Sequence, residues 1–177
     1  MGFRQISGRL RARASEGATA LATALLAACY SFSGGGGFPS DVNTMYIAPF
    51  ENGTVQFDLE SQLFRKLTET LPRALGVRAA GEQVADAIVR GRITRYDDVA
   101  QAYQPGQAGT VQVLQNQVTV VVSVQIVDVK RNLILWESSG VSGRGEYRPD
   151  SQNDGVAREK ALDALVQQIV DGAQSQW

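Results

Sequence analysis

The chain has 177 residues, with 17 basic and 18 acidic side chains, no histidine and one cysteine. Without histidine, a zinc site would rest on carboxylates alone, and a serine or cysteine nucleophile would lack an imidazole base. An internal disulfide is excluded, and a near-neutral balance argues against a broad nucleic-acid surface.

The first element is a sorting signal. Arg4, Arg9, Arg11 and Arg13 precede an apolar run from Ala18 to Ala28, broken only by Thr19 and Thr23. The run is roughly half the ~20 residues that a membrane-spanning helix needs. A basic start, a short apolar stretch and small residues before a cut site make residues 1–28 a signal peptide. Leu26-Ala27-Ala28-Cys29 then reads as a lipobox and resembles that of bacterial lipoproteins. The resemblance implies a diacylglycerol on the Cys29 thiol and cleavage just before it. Tyr30, where many inner-membrane lipoproteins carry Asp, implies the outer membrane. Removal of the first 28 residues leaves 149, with 13 basic and 17 acidic side chains. That is enough chain for one domain with a core.

Residues 29–40, with four glycines from Gly34 to Gly37, read as a lipidated flexible tether. They lack the Lys-Ser/Thr ending of a phosphate-binding loop. A single domain is expected over 41–177. Thr44 to Phe50 is rich in β formers and makes a first strand, with Pro49 at its end. Glu51 to Thr54 reads as a loop. From Asp58 to Leu71 the apolar residues Leu59, Leu63, Phe64, Leu67 and Leu71 share one helical face. Asp58 is the expected cap, Pro72 the end or a kink, and Gly76 the close.

Ala85 to Tyr96 alternates as a second strand. Ala87, Val89, Gly91 and Ile93 fall on one side, and Ile88, Arg90, Arg92, Thr94 and Tyr96 on the other. Asp97 to Gly109 reads as a polar connection with a turn at Pro105-Gly106. Thr110 to Val129 is a long strand with Val118, Val120, Val122, Val124 and Ile126 on its buried face. Lys130-Arg131-Asn132 is a hairpin turn. Leu133 to Glu137 and Val141 to Tyr147 form a fourth strand, interrupted at Gly140 and Gly143. The last helix starts at Asp154-Gly155, buries Ala161, Leu162, Leu165, Val166 and Ile169, and ends at Gly172. The expected fold is α+β: a four-stranded, mostly antiparallel sheet with two helices on one face, in the order β-α-β-β-β-α.

Four pieces of sequence carry a family resemblance: Cys29-Tyr-Ser-Phe-Ser-Gly-Gly-Gly, Ile47-Ala-Pro-Phe-Glu-Asn, Ala85-Asp-Ala-Ile-Val-Arg-Gly-Arg-Ile and Leu135-Trp-Glu. In this order, with the final Trp177, they resemble the LPS-assembly lipoprotein family (LptE), in its branch outside the proteobacteria. The resemblance implies an outer-membrane lipoprotein on the periplasmic side. It implies residence in the lumen of a large β-barrel (LptD-like) and help in inserting lipopolysaccharide into the outer leaflet. It also implies no catalysis, metal or other cofactor. Ile47-Ala-Pro-Phe-Glu-Asn is also similar to the opening strand of the curli-secretion-channel (CsgG) and TolB amino-terminal domains. The mature chain has no room for a propeller or extra membrane hairpins. A carboxylate-based periplasmic hydrolase would draw on Asp97, Asp98 or Glu146, but adjacent Asp97 and Asp98 point to opposite faces of a strand.

Lipid A phosphates suit the fork of arginine. Arg90 and Arg92, two apart on one strand face, are the candidate lipopolysaccharide contacts, with Lys130 and Arg131 extending the patch if the hairpin turn lies nearby.

Overall fold

The computed structural model describes residues 38–105 and 110–176. The expected signal segment, Cys29, the glycine run, residues 106–109 and Trp177 lie outside the described residues. The elements are β1 (Thr44–Ile47), β2 (Glu51–Asn52), α1 (Leu59–Leu75), β3 (Arg78–Ala79), a 3-10 turn (Glu82–Val84), β4 (Ala87–Pro105), β5 (Val111–Asp128), β6 (Leu133–Tyr147) and α2 (Asp154–Gln174).

The fold is α+β, as expected, but the sheet is mixed and six-stranded rather than four-stranded and mostly antiparallel. Its order is β3-β1-β4-β5-β6, with β2 also on β4. β1 runs parallel to β3 and to β4, and β2 parallel to β4; β4–β5 and β5–β6 are antiparallel. The parallel half follows from α1. A helix between two strands of one sheet carries the chain back to its starting end, so the next strand repeats the direction of the first. β2 and β3 are two residues each, too short to show periodicity, and β2 occupies the stretch read as a loop.

One continuous core lies between the sheet and both helices. Val118, Val120, Val122, Val124 and Ile126 from β5 share one buried cluster with Leu63 and Leu67 of α1 and Leu162, Leu165 and Ile169 of α2. Trp136 is buried, and Phe64 is partly buried against the same cluster.

Several helix and strand boundaries differ from the sequence reading. α1 runs through Pro72 to Leu75. A proline loses only one ladder bond in the last turn, and Pro72 and Leu75 are buried there. Asp58 makes no side-chain cap bond; its carbonyl accepts from Ser61 Oγ instead, at 3.0 Å. β6 is one strand, with a register shift between its Val122 and Val124 partners near Gly140. Gly143 does not break it: a Cβ there would sit 1.9 Å from the Ala161 carbonyl oxygen, and one at Gly145 equally close to that of Ala157. These glycines let α2 lie against the strand. α2 also continues past Gly172, whose missing side chain makes room for the Trp136 ring.

The end of the sheet where the described chain begins is held by buried Asp86. Its carboxylate accepts from the backbone N–H of Asn43 and Thr44, both at 3.0 Å, and from Thr44 Oγ1 at 2.9 Å. Lys130 Nζ lies 2.5 Å away. The Lys130 bond, followed by those from Asn43 and Thr44, holds this carboxyl far below the usual carboxylate range. A depressed folded-state pKa contributes stability above about pH 4 and loses it as the pH falls toward the lowered value. Asp86→Asn is therefore expected to melt several degrees below the parent at neutral pH, with the gap closing on acidification. Melting curves that stay parallel down to strong acid would assign the loss to packing instead.

Candidate functional site

The face of the sheet away from the helices is open, and cross-strand register arranges it in rows. At the lower end, Tyr46, Ile88, Val127 and Ile134 are successive partners across β1, β4, β5 and β6. This is a continuous apolar row at one end of the face. Above it stand Arg90, Gln125 and Glu137. Arg90 donates from Nε and Nη2 to Gln125 Oε1, at 3.0 and 2.8 Å. Gln125 Nε2 donates to Glu137 Oε2 at 3.1 Å. Next come Arg92 and Ser123, with Arg92 Nη1 3.7 Å from Glu51 Oε2. Glu51, Arg90, Arg92, Ser123, Gln125 and Glu137 line a shallow groove of about 670 Å³.

Arg90 and Arg92 thus share one face. Lys130 and Arg131 do not line this groove. The Asp128 row lies three ladder steps from the Arg90 row, roughly 10 Å. Lys130 is paired with Asp86, and Arg131 with Asp128 at 2.7 Å and Asp41 at 3.1 Å. Burial alone would raise the Asp128 carboxyl, but the backbone N–H and side chain of Arg131 outweigh it and hold the group low. The pairing partners Gln125 and Glu137 were not singled out from sequence. The register shifts along β4 and β5 set Gln125 opposite Arg90, and a regular ladder continued from the Pro105–Val111 pair would have put Ile126 there instead.

Tyr96 is not on the arginine face. A register shift between Ile93 and Arg95 inserts one extra residue and reverses the alternation. Tyr96 accordingly packs against the core cluster, its hydroxyl 3.5 Å from Asp154 Oδ2. Burial, reinforced by the Asp154 charge, pushes its pKa up to about 12. Of the three acids considered for catalysis, Asp97 lies 3.9 Å from Arg95, and Asp98 accepts from Tyr147 at 2.8 Å. Glu146 accepts from Gln115 at 2.5 Å.

The stretch read as a polar connection is largely strand. β4 and β5 continue past the end of β6, which stops at Tyr147 opposite Asn116, and form a two-stranded arm. From Val99 to Val127 the sequence has no charged residue. Gln104 and Gln112 bond across the arm at 3.0 Å, while Tyr103, Val111 and Leu114 are exposed.

The helices thus cover one face of the mixed sheet and leave the other open, next to an arm without charged side chains. The chain belongs to the LptE lipopolysaccharide-assembly family, whose model matches residues 42–174. Membership gives the protein a role in lipopolysaccharide assembly and places it among membrane-associated lipoproteins. No curated protein matches the sequence significantly. Among solved structures, the chain is similar to lipoprotein GNA1162 of Neisseria meningitidis (15% identity, 73% of this chain and 99% of that one, TM-score 0.45). It is also similar to PelC, solved as a dodecamer, of Paraburkholderia phytofirmans (18%, 73% and 90%, 0.45). A minor lipoprotein of Acinetobacter baumannii is similar too (18%, 77% and 94%, 0.43). Among the described residues no helix is long and apolar enough to cross a membrane.

Proposed function

We propose that the protein is an outer-membrane lipoprotein that assembles with a large LptD-like β-barrel and plugs its lumen, so that the pair delivers lipopolysaccharide to the outer leaflet. Residues 1–28 are removed, acyl chains on Cys29 anchor the protein on the periplasmic side, and residues 29–40 tether the domain. Two or three chains make such an anchor effectively permanent. The role is non-catalytic and needs no cofactor.

The observation that carries this reading is the arm. Bare backbone edges exclude it from lipid, whereas the interior of a large barrel is aqueous and polar. An uncharged arm rich in Gln, with Asn116 and a few exposed apolar side chains such as Tyr103, fits that lumen. Crosslinkers placed at Gln104 or Gln112 are expected to trap one large barrel protein from native membranes. Capture of soluble periplasmic proteins alone would overturn the reading.

On the open face, Arg90 and Arg92 meet lipid A phosphates, and the neighbouring apolar row meets acyl chain. Arginine forks match phosphate oxygens in charge and geometry. With both arginines changed to Glu, binding of purified lipopolysaccharide should fall about tenfold or more, since each charge-assisted bond contributes roughly 1.5–3 kcal/mol. The barrel complex should persist. Unchanged lipid binding would remove the arginines from the contact.

A further inference from the structure

We infer that the outer edge of β4 beyond Ile93 is a strand-addition site, which takes an extended segment of a protein partner alongside Arg95–Ala100 with Phe57 as its anchor. The inference deepens the barrel reading, because under that reading the added segment belongs to the barrel.

β1 covers the outer edge of β4 at Ala87–Val89, and β2 covers it at Arg92–Ile93. No described strand pairs with that edge from Thr94 to Pro105. Exposed edges normally carry charge, proline or a bulge that discourages pairing. Here the edge runs in regular register over Arg95–Ala100, and the next irregularities come only at Ala100/Ala102 and Ala102/Tyr103. The charges along it are engaged within the chain: Arg95 lies near Asp97, and Asp98 bonds Tyr147 and Asn116.

A prebuilt turn stands where the pairing stops. Gly53 N–H donates to the Ile93 carbonyl at 2.9 Å. Asn52 then organises the turn: its Nδ2 donates to the Gln56 carbonyl at 2.7 Å, and its Oδ1 accepts from Thr54 N–H at 2.9 Å. The turn presents Val55 and Phe57, which are 88% and 92% exposed. A hydrogen-bonded turn that starts at the Ile93 carbonyl limits the backbone freedom that the adjoining Phe57 would lose when a partner covers it.

The occupant is a protein strand. Lipid cannot satisfy bare N–H and C=O groups. A second copy pairing antiparallel over Arg95–Ala100 would set Asp97 directly opposite Asp98, and like charges there are destabilising. A partner strand satisfies the edge through main-chain bonds, with side chains supplying selectivity.

The test uses the full lipoprotein in native membranes, with the photoreactive residue p-benzoylphenylalanine replacing Asp97 in one variant and Val99 in another. Strand addition predicts attachment points about two residues apart within one continuous segment of the partner, because side chains on one face of a ladder recur every second residue. Scattered attachment points, attachment to a second copy of this chain, or attachment to lipid would overturn it. A two-residue step on a partner that is not a barrel would uphold strand addition and overturn the barrel reading. Phe57→Asp should lower the crosslink yield about tenfold with an unchanged melting temperature. An unchanged yield would remove Phe57 as the anchor and overturn the inference as stated.

Discussion

A Val122→Asp chain is expected not to hold its native fold at physiological temperature. Val122 is fully buried in the middle of β5, paired with Ile93 on one side and Val141 on the other. All three are core residues. Its ladder partners Ile93 and Val141 offer a carboxylate neither a cation nor a side-chain donor, and burying an unpaired charge costs roughly 4 kcal/mol or more. That is comparable to the whole stability of many domains, which spans about 5–15 kcal/mol. Circular dichroism melting decides the matter. A variant that melts within a few degrees of the parent would mean that Val122 faces solvent and the strand phase is reversed.

Gly145→Val is the second large effect. A Cβ at Gly145 would lie 1.9 Å from the Ala157 carbonyl oxygen and 2.9 Å from the Ala161 nitrogen. Both are backbone atoms of α2, so no side-chain rotation relieves the clash. The helix must lift away from β6, opening the core along Ala157, Ala161 and Leu165. The expected loss is about 3 kcal/mol. Gly140→Ala is the control, since a Cβ there meets nothing within 4 Å. Denaturant midpoints should separate the two variants clearly, and equal midpoints would show that α2 is not seated on this strand.

The parts legible in the sequence were those with long, uninterrupted periods. Nine residues of alternating valine, from Val118 to Ile126, disclosed both the core face of β5 and its open face. The leucine stripe of α1 and the Ala161–Ile169 stripe of α2 did the same for the helices. Arg90 and Arg92 were placed correctly on one face because no irregularity lies between them. The errors arose where one local event overrode a pattern. A single inserted residue near Thr94 sent Tyr96 to the opposite face. Gly143 and Gly172 look like punctuation in sequence, yet each is a point of close packing, which depends on a neighbour distant in the chain. Parallel pairing through β2 and β3 could not be read from two-residue strands at all. Lys130 pairs with Asp86, which is remote in sequence, whereas Arg131 pairs first with Asp128, three residues back across the hairpin turn, and then with distant Asp41.

β4 is the one strand that touches both halves of the sheet: β1 and β2 on one side, β5 on the other. This fixes an order of assembly for a chain that emerges amino terminus first. β1, β2, α1 and β3 appear early, but β1 has four residues and its neighbour β3 two, too little ladder to stand unaided. They must wait for β4, and β4 gains its longest partner only when the chain turns back into β5. The β4–β5 ribbon is built from nearby contacts, and local ribbons close sooner than distant pairings. It therefore serves as the template on which the earlier-made amino-terminal segment is laid. A chain cut before Val111 would contain every parallel strand of the domain and still lack the means to assemble them.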